Sequence, residues 1–239
     1  MQVMKSPGGY RFLPIEGPFS GAPFSAGVAA EPGHKIVRVL APRETPLADG
    51  FRLVEQTLDA AGRPLAALCA TELRVPAPMT RQGFTDFNRG YIDQLERWGL
   101  PLDGHSPVAR TNVAPELDPP SQACMHAFCY TVQGDHHRPT FVISGSPEAP
   151  GTEGGLAGFW ADMLKTMDER IAALGLTWAD ATETQFYGPR AAFEVFGKQE
   201  LARFEDMTRP GLRWVFSLPP IDDLNLEVDV RGIASESWL

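Results

Sequence analysis

The same succession of helix and strand patterns occurs twice along the chain, and this repetition limits the possible folds more than any other feature of the sequence. In each half a helix pattern ends at a glycine, at Gly62 in the first half and at Gly175 in the second. Each half also carries a leucine closely followed by paired prolines near its end, within residues 117–120 and 218–220. A repeat of this length is typical of a duplicated domain and not of a solenoid. The alternative is a chance similarity between two α+β patterns.

The first half is predicted to be one α+β unit with the element order β-β-α-β-α-β-β. Residues 1–24 are rich in Gly and Pro and predict turns, and residues 31–34 predict the turn of a hairpin between the first two strands. Asp49 is the predicted N-cap of the first helix. The predicted strands cover residues 24–30, 35–40, 65–75, 108–113 and 123–130, and the predicted helices cover residues 49–62 and 85–99.

The second half repeats this pattern, either with one N-terminal strand fewer or with that strand taken from the linker. Polar residues 133–139 predict a linker, and residues 145–155 predict a loop rich in Gly and Pro. The predicted strands cover residues 140–144, 178–187, 212–218 and 224–230, the last two as a pair, and the predicted helices cover residues 156–174 and 191–205. We therefore predict an α+β protein of two tandem domains, residues 1–133 and 134–239, each with a mixed β-sheet packed against two helices.

The composition excludes several classes of partner. The chain is 43% hydrophobic and 21% charged, which is typical of a globular protein with a substantial core. Its formal net charge of −9, with scattered Lys and Arg, argues against nucleic acids and anionic membranes as partners. No apolar run is long enough to span a bilayer, and the N-terminus lacks the apolar region of a secretory signal. Three cysteines fit neither a zinc site nor a disulfide framework, so we expect a reduced, cytoplasmic location.

Several polar residues could carry chemistry. Arg110 lies inside a predicted strand, either as a structural or solvated residue or as an anion-binding group. Cys124 and His126 lie two residues apart on one strand face, either as a nucleophile and its base or as structural residues. His136 and His137 have no further metal ligand at a suitable spacing, so we predict a solvated linker and no metal site there.

Six short motifs follow one another along the chain in a definite order. They are Gly17-Pro18-Phe19-Ser20, Phe87-Asn88-Arg89-Gly90-Tyr91, Pro107-Val108-Ala109-Arg110-Thr111, Val142-Ile143-Ser144-Gly145, Leu218-Pro219 and Leu226-Glu227-Val228-Asp229. Together they resemble the RidA-like (YjgF-type) enamine/imine deaminase family, and the resemblance spans most of the chain. Neither half carries the complete set. Cys124 stands where the family has a glutamate, and the second half has no clear Pro-Ala-Arg segment.

The resemblance implies two tandem RidA-like (chorismate-mutase-like) units, a preference for a homotrimer, and hydrolytic deamination of a small carboxylated enamine or imine without a metal or organic cofactor. It implies that Arg110 binds the substrate carboxylate with support from Asn88, and that Glu227 positions or activates water. Ser144 and Gly145 would line the pocket, and Phe19 of the first motif would contact the substrate. Because family sites lie between neighbouring subunits, one functional site would combine the arginine of one half with the glutamate of the other, either within one chain or between chains.

Two other functions are compatible with the same residues. The loss of the family glutamate in the first half is also expected of a non-catalytic module that binds a small carboxylated metabolite. A chorismatase-like hydrolase is the other alternative, because chorismatases share a two-unit fold and bind a carboxylated ring.

Overall fold

The computed structural model describes residues 2–15, 24–195 and 212–239. In this part of the chain four α-helices and one long mixed sheet form the fold, together with single turns of 3-10 helix at Leu65–Ala67 and Trp178–Asp180. The helices are α1 (Leu47–Ala60), α2 (Arg81–Arg97), α3 (Gly155–Ala173) and α4 (Arg190–Val195). The strands are β1 (Met4–Ser6), β2 (Tyr10–Pro14), β3 (Ser25–Ala30), β4 (His34–Pro46), β5 (Leu68–Arg74), β6 (Ala109–Pro115), β7 (Cys124–Gln133), β8 (Phe141–Pro147), β9 (Glu183–Gly188), β10 (Leu212–Leu218), β11 (Glu227–Gly232) and β12 (Ser235–Trp238).

The two halves share one sheet, whose strand order is β1-β2-β3-β8-β11-β9-β10-β6-β5-β7-β4-β12. A further pairing of β3 with β6 closes the strands β3, β8, β11, β9, β10 and β6 into a ring. Two strands of this ring come from the first half and four from the second. The predicted boundary at residue 133 falls between β7 and β8, and the hydrogen-bonded ladder continues across the two halves.

Each half packs its helices against its own part of the sheet. In the first half, α1 and α2 bury Val54, Leu58, Tyr91 and Leu95 in one apolar cluster. In the second half, α3 and the residue that follows it contribute Met163, Met167, Ile171 and Leu174 to another cluster. Leu13 and Ala26 from β2 and β3 also enter this second cluster. Burial of apolar surface, at roughly 25 cal/mol per Å², therefore stabilises the contact between the halves as well as each half.

A buried ion network also joins the halves. Glu72 on β5 accepts hydrogen bonds from Arg38 on β4, at 2.7 Å, and from Arg231 on β11, at 2.6 Å. Burial disfavours the charge of Glu72, but Arg231 and Arg38 outweigh this effect and hold the pKa of Glu72 well below its usual range. Arg231 also donates to Asp229 at 2.6 Å. These bonds fix β11, the strand that carries Glu227, against the first half.

Two predicted strand pairings are wrong, although the strands themselves are present. A tight turn joins β3 to β4, but β3 pairs with β2 and β8 whereas β4 pairs with β7 and β12. Likewise β10 and β11 do not pair with each other, because β9 lies between them. Turn residues specify only a local reversal of the chain. The choice of partner depends on burial, and β3 has small side chains that are buried on both faces.

Other boundaries differ from the prediction for local reasons. Helix α2 begins four residues before Thr85, because the Thr80 side chain caps it by accepting a hydrogen bond from Gly83 N at 3.1 Å. The prediction missed β1 and β2, which lie in the Gly- and Pro-rich N-terminal region, and β12, whose residues are all exposed and give no alternating pattern. Residues 17–20, including Phe19, and most of the last predicted helix lie outside the described residues. None of the helices in the described ranges is long and apolar enough to cross a membrane.

Candidate functional site

A cavity of about 350 Å³ lies between the two halves of the chain. This volume is in the range of small-molecule sites in proteins. Its walls include Phe84, Arg110 and Asn112 from the first half and Gly145, Arg170 and Glu227 from the second. Arg110 and Glu227, which the sequence places more than a hundred residues apart, therefore face the same cavity within one chain.

Arg110 is a buried cation held in a defined orientation. It lies on β6 with a relative exposure of 6%, and its Nη1 donates to Asn88 Oδ1 at 2.8 Å. Its guanidinium carbon lies 5.1 Å from the ring centroid of Tyr91 and 5.7 Å from that of Phe84. Burial lowers the pKa of Arg110, yet a guanidinium stays charged in proteins. Since Arg110 makes no ion pair within the described ranges, its charge remains available to an anionic ligand.

Glu227 is a buried acid whose neutral form is favoured. It lies on β11 with a relative exposure of 3%, and its carboxylate makes no hydrogen bond or ion pair with the described part of the chain. Burial, and secondarily the neighbouring Asp229, raise the pKa of Glu227 well above its usual range, although Arg74, Arg110 and Arg170 oppose the shift. Asp229 itself is occupied by Tyr187 and Arg231, which donate to it at 2.7 and 2.6 Å. Glu227 is thus the cavity group suited to donate and recover a proton.

Ser144 and Gly145 have different places in the site. Ser144 is fully buried behind the wall, where its Oγ accepts from Arg110 N at 2.9 Å and ties β8 to β6. Gly145 lines the cavity, and its N–H donates to Thr111 Oγ1 at 3.1 Å. A Cβ at position 145 would lie only 1.9 Å from Glu227 Oε1. The lack of a side chain at Gly145 therefore makes room for the Glu227 carboxyl group.

The substitution Gly145→Ala is expected to displace the Glu227 carboxyl group. The kcat of a reaction in which Glu227 transfers a proton should then fall about 10- to 100-fold, because a catalytic group misplaced by about 1 Å can lower the rate by up to two orders of magnitude. Steady-state kinetics would measure this loss. Gly90→Ala is the matched control, because an added Cβ there meets nothing within 4 Å. If Gly145→Ala kept the kcat of the Gly90→Ala control, Glu227 would not need its observed position.

The sequence analysis missed several polar residues of the cavity, among them Asn112 and Arg170. Asn112 lies two residues after Arg110 on β6, and both polar atoms of its buried amide lack a hydrogen-bond partner among the described residues. Arg170 lies on α3, where Nη1 donates to the carbonyl of Ser144 at 3.1 Å and burial lowers its pKa to about 10. The spacing of both residues in the sequence could have predicted which face of the strand or helix they occupy. Alternation places Asn112 on the face of Arg110, and Arg170 follows Met167 by three residues, on the apolar face of its helix.

Cys124 and His126 line a second hollow, together with Arg74. Burial raises the pKa of Cys124, which disfavours the thiolate. Burial, and secondarily Arg74, lower the pKa of His126 to about 3, which leaves a weakly basic imidazole. Both pKa shifts oppose a role of Cys124 as nucleophile and of His126 as its base, which favours the alternative that both residues are structural. Within the described ranges, no three or more His, Cys, Asp or Glu residues are grouped as metal ligands.

Comparison with known proteins relates the whole chain to one family. A family model described as 2-aminomuconate deaminase CnbZ matches residues 2–237. A 2-amino-5-chloromuconate deaminase from Comamonas testosteroni is 41% identical over 254 residues, which cover 99% of this chain and 98% of that protein.

Among solved structures, a chorismatase is similar at a TM-score of 0.50 and 14% identity, over 92% of this chain and 80% of the other. The YjgF gene product from E. coli matches at a TM-score of 0.32 and 20% identity, over 43% of this chain and 87% of the other. The chorismatase similarity extends over both halves and indicates a shared fold alone.

Proposed function

Because the chain belongs to the 2-aminomuconate deaminase CnbZ family, we propose that it hydrolyses a 2-aminomuconate-type enamine to the corresponding 2-oxo acid and ammonia. Such a substrate has a carboxylate at each end of a six-carbon unsaturated chain and an amino group next to one of them. The observation that carries the proposal is the shared cavity, in which an unpaired guanidinium and an acid that favours its neutral form face the same space.

Arg110 would bind the carboxylate next to the amino-bearing carbon. A guanidinium offers two parallel N–H groups to a carboxylate, and the hydrogen bonds are strengthened by the charge on both partners. Asn88 and the aromatic rings around Arg110 hold the guanidinium in place before the substrate arrives. The reacting carbon is thereby fixed relative to Glu227, which lines the same cavity.

Glu227 would then serve as acid and base in turn. Its proton passes to the β-carbon of the enamine, and the amino-bearing carbon becomes an iminium. Water adds to that carbon while the Glu227 carboxylate takes a proton from the water. Glu227 next protonates the amino nitrogen, and the C–N bond breaks as the hydroxyl forms the ketone and returns its proton to Glu227. The sum is substrate and water converted to 2-oxo acid and ammonia, with Glu227 restored.

The purified protein with 2-aminomuconate tests this proposal. We expect ammonia release together with loss of the substrate's absorbance, at a rate far above the spontaneous hydrolysis and unchanged after dialysis against a metal chelator. Ligand-dependent thermal stabilisation without ammonia release would instead support a non-catalytic binding module. Conversion of chorismate without deamination would support a chorismatase-like hydrolase.

A further inference from the structure

The cavity contains more unpaired positive charge than a single carboxylate needs. Arg110 and Arg170 are both buried, and neither forms an ion pair within the described ranges. The two other carboxylates of the wall already accept hydrogen bonds from backbone N–H groups, Glu148 from residues 225 and 226 and Asp162 from residue 149. Glu227 lies near both arginines, but it forms no ion pair with either of them and its neutral form is favoured. Because a buried charge without a counterion is costly, two such arginines in one cavity indicate two ligand anions.

Arg170 is also anchored, but from helix α3 and to a backbone carbonyl. One of its N–H groups donates to the carbonyl of Ser144 at 3.1 Å, and this anchor fixes the guanidinium at the cavity wall. The same Ser144 accepts from the backbone N–H of Arg110, so both arginines are positioned relative to one residue of β8. Arg170 lines the cavity, and its remaining N–H groups make no hydrogen bond with the described residues.

Arg81, the third arginine of the cavity, is less suited to this role. Its Nε and Nη2 both donate to Asp223 Oδ2, at 3.0 and 2.6 Å, so its charge is already compensated. Its side chain is also 46% exposed, where water weakens an ionic contact. Arg81 therefore provides a matched control in the same cavity.

We propose that Arg170 binds a second carboxylate, so that Arg110 and Arg170 together select a linear dicarboxylate. The proposal builds on the proposed function, since it assigns the residue that recognises the carboxylate farther from the amino group. It concerns binding, however, and can be tested with ligands that carry no amino group and cannot be deaminated.

Muconate and sorbate form a suitable pair of probes, because both are six-carbon dienes and sorbate has a methyl group in place of one carboxylate. The affinities of both would be measured by calorimetry for the wild type, Arg170→Met and Arg81→Met. We expect the wild type to prefer muconate. Arg170→Met should lose about 10- to 100-fold in muconate affinity, as expected for lost hydrogen bonds between charged groups, with sorbate affinity changed less than about threefold. Arg81→Met should alter both affinities little.

The outcomes separate binding from structural roles. An equal loss of both ligands in Arg170→Met would mean that Arg170 only supports the wall, and unchanged muconate affinity would also overturn the proposal. A selective loss in Arg81→Met would assign the second carboxylate to Arg81. If Arg170→Met did not fold, Arg170→Lys would serve, since it keeps the charge and should lose part of the muconate preference. A muconate preference without deamination would leave this proposal intact and refute the proposed function.

Discussion

Glu227→Gln is expected to lower kcat for deamination about 10²- to 10⁴-fold, the range typical of losing a general acid or base. Glutamine has nearly the same shape, but it can neither give a proton to the enamine carbon nor take one from water. Substrate affinity should change little, because Arg110 remains in place. Steady-state kinetics with ammonia detection would measure the effect, and a variant with the kcat of the wild type would exclude Glu227 as the proton-transfer group.

The pH dependence of stability provides the control for this variant. The pKa of Glu227 is raised in the folded protein above its value of about 4.5 in the unfolded chain. Its favourable contribution to stability is therefore fully present below the unfolded pKa and is lost as pH rises through the folded pKa. Glu227→Gln lacks this loss, so at alkaline pH it should be at least as stable as the wild type in denaturant titrations. Lower stability at all pH values would indicate that the kinetic defect comes from damage to the fold.

Arg110→Ala is expected to lower kcat/KM about 10²- to 10⁴-fold, because it removes two hydrogen bonds between charged partners, each of which contributes about 1.5–3 kcal/mol. Arg110→Lys should recover only part of this loss, since an ammonium group cannot bind a carboxylate through two parallel N–H groups. Affinity for muconate, measured by calorimetry, gives a readout independent of turnover.

The control for Arg110→Ala is Arg81→Ala, which removes an arginine from the same cavity that is already paired with Asp223. We expect it to change kcat/KM by less than about threefold, in line with the small energies of exposed ion pairs. Muconate affinity that survived Arg110→Ala would rule out Arg110 as a carboxylate-binding residue.

Much of the fold could be predicted from the sequence. The resemblance to RidA-like deaminases and the α+β class of two tandem units are confirmed, the latter over nearly the whole chain by the chorismatase similarity. Strand β10 has the predicted limits, and the helix predicted over residues 156–174 corresponds to α3. These features depend on local periodicity, which a single sequence displays directly.

Strand partners and the full set of cavity residues could not be predicted in the same way. Whether β3 pairs with β4 or with β8 depends on contacts between residues more than a hundred positions apart. The spacing places Asn112 on the face of Arg110 and Arg170 on the face of Met167, but a single amide in a strand and a single arginine in an apolar helix face match no motif. The domain boundary at residue 133, the trimer, the cytoplasmic location and the role of Phe19 stay predictions.

The closed ring of six strands also has a consequence for how the chain folds. β3 and β6 are synthesised early, but their partners β8 and β10 belong to the second half, and β12 pairs with β4 across about two hundred residues. A nascent chain that ends before β8 therefore has an open strand edge, which invites pairing with other chains. Pairing between strands that lie so far apart in the sequence forms slowly during folding. The first half therefore has its full set of strand partners only after β8, β10 and β12 have been synthesised.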